Sequence, residues 1–95
     1  PSEVPIRQAL EASVTLHGLL QRMRLSESRL QRLLAIIPKG LHKQIKAGPA
    51  DEENWTILVA SPAVAAKVRQ ILPTLTTAVA QQEKRTVLIR VKVTH

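Results

Sequence analysis

Apolar residues along the first third of the chain recur at helical spacing. Ile6, Ala9, Leu10, Leu16, Leu19, Leu20 and Met23 follow Pro5 mostly at intervals of three and four, which gathers them on one side of a helix. Gly18 lies inside this segment, and a glycine costs roughly 1 kcal/mol relative to Ala in a helix interior, so the segment is expected as one helix or as two pieces. Ser26 or Ser28 is suited to cap a second helix, with Leu30, Leu33, Leu34, Ile37, Leu41 and Ile45 along one side. Pro38-Lys39-Gly40 interrupts that side. Proline lacks a backbone donor and crowds the preceding turn, which predicts a kink or a fresh helix start at Pro38.

The period then drops to two. Trp55, Ile57 and Val59 alternate as in a half-buried strand, while Val64, Val68, Ile71, Leu72 and Leu75 return to helical spacing. Ser61-Pro62 marks the switch: a serine hydroxyl accepts from an orphan amide of the new helix, and proline fits the first helical position. This helix should run to about Gln82 and bend at Pro73. Upstream, AGPADEEN reads as a turn from its Gly-Pro pair and polar run, joining a short strand near residues 45–47 to the strand over 55–60 as a hairpin.

The chain closes on TVLIRVKVT, in which Val87, Ile89, Val91 and Val93 point one way and Leu88, Arg90, Lys92 and Thr94 the other. Arg90 and Lys92 cannot both be buried, so one sheet face is expected to be wet, or to bind a ligand, while helices cover the other. The pattern predicts a two-layer α+β domain, order α-α-β-β-α-β, with helices on one face of a small mixed sheet. If the strands of Trp55 and Val87 are parallel, the helix between them should cross right-handed.

Composition narrows what such a domain does. Ninety-five residues make one domain, 1–95, burying about 60–65% of its unfolded surface and leaving no room for a deep active-site cavity beside the core. With no Cys, Tyr or Phe, one Trp and one Met, the core must be Leu, Ile, Val and Ala, and disulfides and thiolate metal sites are excluded. No run approaches the ~18 apolar residues that cross a bilayer, and the first residues lack a secretory pattern, so a cytoplasmic protein with no membrane partner is expected.

The formal charge of +7 is segregated along the chain. Residues 22–46 hold seven bases and one acid, and residues 47–66 hold only Asp51, Glu52 and Glu53. Residues 67–95 return to positive with Lys67, Arg69, Lys84, Arg85, Arg90 and Lys92 against Glu83. Such segregation favours a polyanionic partner, nucleic acid before anionic membrane. A basic surface that merely keeps the protein soluble is the alternative.

Projected on one continuous helix, Arg22, Arg29, Arg32, Lys39, Lys43 and Lys46 fall within an arc of about 120°, opposite Leu30, Leu33, Leu34, Ile37 and Leu41. Any amphipathic helix has a solvated face, but here nearly all its charges share one sign. Like charges at this spacing repel by a few tenths of a kcal/mol each, a cost that a bound phosphate backbone removes. With a single aromatic the chain has no stacking platform for bases, and Trp55 reads as a core or sheet-edge residue. Gly40 and Gly48 are too far apart for a G-x-x-G clamp. Binding is therefore expected to be to phosphates, salt-sensitive and nearly indifferent to sequence.

Catalysis has little support. His17, His42 and His95 have no acid at a relay spacing, and Asp51-Glu52-Glu53 reads as a hydrated loop tip rather than a metal site. There is no Walker loop and no nucleophile motif. The Ser61 corner is followed by Ala63, Val64, Ala65 and Ala66, which offer no acid, base or cation before Lys67 and Arg69. No enzymatic activity, cofactor or metal is expected.

Four stretches occur in a familiar order: LLAIIPKGLHKQI, a strand ending in Ser61, an Ala-rich helix carrying KVRQILP, and the closing VLIRVKV. Together they resemble the core of the DciA family, bacterial proteins that load or operate the replicative DNA helicase. The resemblance covers roughly residues 6–93 and rests on pattern rather than on any single diagnostic motif. It implies a K-homology-like α+β fold without the G-x-x-G loop, DNA binding, and contact with the hexameric helicase. The expected phosphate contacts are Arg22, Arg24, Arg29, Arg32, Lys39, Lys43 and Lys46, on a single outward side, with Lys67, Arg69, Arg90 and Lys92 as a second group. Two other readings remain open: an RNA- or ribosome-associated K-homology-like module, and a protein-interaction domain whose charge meets an acidic partner.

Overall fold

The computed structural model describes residues 3–94, with side chains from Leu16 onward. Helix α1 spans Glu3–Leu33 and a 3₁₀ helix spans Lys39–Gln44. Strands β1 (Ile45–Ala50) and β2 (Asn54–Val59) follow, then helices α2 (Pro62–Gln70) and α3 (Leu72–Glu83), then β3 (Leu88–Val93). The order α-α-β-β-α-β holds, the 3₁₀ helix being the second helical piece and α2 and α3 the two halves of the bent third.

The boundary between the first two pieces falls after Leu33, not at Ser26 or Ser28, and Gly18 does not divide the 31-residue α1. Ser26 caps nothing because its hydroxyl has better partners outside the helix. It donates to the Gly48 carbonyl at 2.5 Å and accepts from the Trp55 indole N–H at 2.8 Å, tying α1 to β1 and β2 at one buried point. α1 ends where the approach to Pro38 removes helical geometry, and the 3₁₀ helix begins directly after that proline. At the Ser61-Pro62 corner the serine Oγ accepts from the Val64 N–H at 3.3 Å with proline opening α2, as the sequence requires.

The sheet has the order β1-β2-β3, with β1 antiparallel and β3 parallel to β2. β1 runs further than residues 45–47, because the Gly-Pro pair belongs to the strand and not to the turn. Between Ala47↔Ile57 and Ala50↔Trp55 one extra residue enters β1, a bulge that accommodates Pro49 on an edge strand. Gly48 is required there: a Cβ would lie 2.6 Å from the Thr56 carbonyl oxygen. The turn itself is made by Asp51, whose Oδ1 accepts from the Glu53 and Asn54 N–H groups at 2.9 and 2.8 Å. Those bonds hold its carboxyl below the usual range.

Trp55, Ile57, Val59, Val87 and Ile89 face the helices. Leu30, Leu33, Ile37, Leu41, Val64, Val68, Leu75 and Val79 pack onto them. Each such side chain contributes about 1.5–3 kcal/mol by leaving water. The opposite face carries Lys46, Leu88, Arg90 and Lys92, all exposed, and half-buried Thr56 and Leu58, which share a groove with Leu19, Met23 and Glu27 of α1. Trp55, 1% exposed, is a core residue and no stacking platform.

Candidate nucleic-acid interface

The expected stripe of cations is not one stripe. α1 stops at Leu33, so Lys39, Lys43 and Lys46 do not continue its helical projection, and Arg29 points inward. The Arg29 side chain is fully buried. Its Nε and Nη2 donate to the two carboxylate oxygens of Glu83 at 2.7 and 2.9 Å. Its Nη1 donates to the carbonyls of Asp51 and Asn54, and Nη2 also to that of Glu52, so one guanidinium fastens α1, the β1–β2 turn and α3 together. Arg29 is thus a structural clamp and not a phosphate contact, since a planar donor fork matches a carboxylate and satisfies buried carbonyls at once.

Glu83 is held below its ordinary carboxylate value, first by its hydrogen bond from Arg29 and then by the charges of Arg29, Arg32 and Arg85, which together outweigh its partial burial. Arg32 is one-third exposed, 3.4 Å from the same carboxylate, and donates to the Ser28 carbonyl. Arg85 is paired with Glu52 at 3.0 Å. At this end of the molecule, where the β1–β2 turn meets the end of α3, acids occupy the cations.

The rest of the body is different. The 3₁₀ helix, β1, β2, α2 and β3 contain no Asp or Glu, yet they carry Lys39, Lys43, Lys46, Lys67, Arg69, Arg90 and Lys92. All seven are exposed. The register sets Lys46 and Lys92 on either side of Leu58, and Arg90 beside Thr56. Adjacent strands are about 4.8 Å apart, so the two lysines stand roughly 10 Å apart across the open face. Arg69 reaches the edge of β3, its Nη2 donating to the Val91 carbonyl at 3.4 Å. Of the two basic groups distinguished by sequence position, Lys39, Lys43, Lys46, Lys67, Arg69, Arg90 and Lys92 thus sit exposed on elements without a carboxylate, whereas Arg29 is buried and Arg32 lies against Glu83. Arg22 and Arg24 are both exposed on α1; Arg22 shares a groove with Thr56 and Leu58 and is close enough to Asp51 to favour its carboxylate.

Sequence reasoning missed a groove of about 490 Å3 between the 3₁₀ helix and α2, lined by Pro38, Gly40, Leu41, Gln44, Lys67, Gln70 and Ile71. Its amides and lysine add donors beside the basic surface. Only the tertiary contact of segments that are distant in sequence creates it, and no linear spacing signals it. His42 is partly buried, its Nε2 2.8 Å from the Ile37 carbonyl, and His17 is exposed, while His95 lies outside the described residues.

Among the described residues no group of His, Cys, Asp and Glu could hold a metal ion, and no helix is long and apolar enough to cross a membrane. No protein-family model matches the chain, and no curated protein matches it.

Proposed function

We propose that this chain is a non-enzymatic, K-homology-like DNA-binding adaptor that helps to load or operate the bacterial replicative helicase, holding DNA through sequence-nonspecific phosphate contacts. The observation that carries DNA binding is where the free charge sits: seven exposed cations on five elements that contain no carboxylate. A phosphate backbone relieves the mutual repulsion of those cations and releases its own counterions on binding them. The contacts are Lys39, Lys43, Lys46, Lys67, Arg69, Arg90 and Lys92, with Arg22 and Arg24 as outliers. The helicase role rests on the resemblance to the DciA family.

Mobility shifts on forked DNA, duplex DNA and structured RNA at rising salt test the reading. Tighter binding to DNA is expected, with affinity falling steeply as salt rises. Equal or tighter binding to RNA would replace it with the RNA-associated module. Capture of the helicase by the Lys39→Glu plus Lys43→Glu chain adds the second half. Loss of DNA binding with capture unchanged is expected, and unchanged DNA binding would remove the phosphate contacts from the 3₁₀ helix.

A further inference from the structure

The edges of the sheet are not alike. β1 is bulged beside Gly48 and carries Pro49, devices that blunt an edge against further pairing. β3 is a regular strand, Leu88–Val93, with no proline, glycine or bulge, and no strand pairs with its outer side among the described residues. The parallel register decides which backbone groups that side holds. Leu88 and Thr94 donate their N–H groups inward, to the Glu53 and Val59 carbonyls, both at 2.8 Å, and in a continuous ladder Arg90 and Lys92 between them do the same. The N–H and C=O groups of Ile89, Val91 and Val93 therefore point away from β2. Of these, among the described residues, only the Val91 carbonyl has a partner, the exposed Arg69 guanidinium at 3.4 Å.

We propose that the outer edge of β3 takes up an extended, acid-bearing segment of a partner protein as a further strand, antiparallel because that pairing is the more stable. Main-chain bonds to Ile89, Val91 and Val93 supply the affinity, and the side chains beside them select the occupant. On the face away from the helices the new strand meets Arg90 and Lys92, both exposed and, among the described residues, outside every ion pair. On the helix side it meets Val91 and Val93, which the core covers only in part. A segment that alternates acidic and apolar residues matches both faces, since opposite charges directly across a strand pair attract and like charges repel. The same cations turn away a second copy: β3 paired with itself about Val91 sets each Arg90 against the Lys92 of the other copy. Charged side chains guard an edge against stray strands, and here the guard has one sign, so an acidic strand passes it. The inference does not rest on the proposed function, although DNA and the strand would compete for Arg90 and Lys92.

A labelled, end-capped peptide of alternating glutamate and valine, added to the full chain and followed by fluorescence anisotropy and amide hydrogen exchange, tests this. Saturable binding is expected, with slower exchange at the outward amides of Ile89, Val91 and Val93. Arg90→Glu plus Lys92→Glu should weaken binding by about tenfold and shift the preference to the same peptide with lysine in place of glutamate. Val91→Pro removes an outward donor and no bond to β2, so it should abolish binding with the circular dichroism spectrum unchanged. If that variant loses its fold, the double variant on the exposed face carries the test. No binding of the glutamate peptide, equal binding of the lysine peptide by the unaltered chain, or binding that leaves the outward amides unprotected overturns the proposal. Loss of DNA binding with peptide binding intact would sink only the DNA reading.

Discussion

Arg29 and Lys46 carry the same charge, lie in the same basic segment of sequence and end in opposite circumstances. Arg29 is enclosed where α1, the β1–β2 turn and α3 meet, its donors shared between Glu83 and three carbonyls. Lys46 stands on the open face of the sheet beside Leu58 and Lys92, on a strand with no acid. The contrast teaches that a run of bases states how much positive charge a region holds, not how much of it is free. Freedom is decided by acids from elsewhere in the chain, here one 54 residues away.

The comparison breaks most sharply on stability. Arg29→Ala should destabilise the fold by about 3–5 kcal/mol, because it leaves Glu83 and the turn carbonyls without their buried partner. Lys46→Ala should stay within about 0.5 kcal/mol. Urea denaturation of both variants measures the difference, and similar small losses would show that the clamp is not structural. Ser26→Ala comes next. It removes the acceptor of the Trp55 N–H and the donor to Gly48, for a loss of about 1–3 kcal/mol in the same assay.

The ion pair also sets a pH signature. Because the folded-state value of Glu83 is depressed, its stabilisation is fully present above its ordinary value of 4.5 and is lost as pH falls through the lower, folded one. The urea midpoint should therefore fall with acid in that window, and Glu83→Gln should flatten the slope there. The smallest effect is at Lys84, which ends α3 in the left-handed region at φ 55°. Lys84→Gly should raise stability by a few tenths to about 1 kcal/mol, seen as a higher thermal midpoint, since glycine takes that conformation without a Cβ penalty.

The legible parts of the fold were those written in local periodicity. Alternation in TVLIRVKVT gave β3 and its two faces, and Ser61-Pro62 gave the start of α2. Pro73 gave the bend between α2 and α3. The errors share one cause. Ser26 looks like a cap, Gly48-Pro49 like a turn and Arg29 like a surface cation when each is judged by its neighbours in sequence. Their partners are Trp55, Thr56 and Glu83, which only the folded chain brings near. The same holds for the candidate site: strand pairing, not helical projection, unites Lys46 with Arg90 and Lys92.

The most direct test of the central claim is the salt dependence of duplex DNA affinity for the Lys46→Gln plus Lys92→Gln chain, with Arg85→Gln as the control from the acid-bearing end. The log–log slope is expected to become shallower by ~2 in the double variant, one for each lysine–phosphate pair removed, and to hold in the control. A double variant that keeps both the slope and the affinity of the unaltered chain would contradict phosphate binding on the acid-free face.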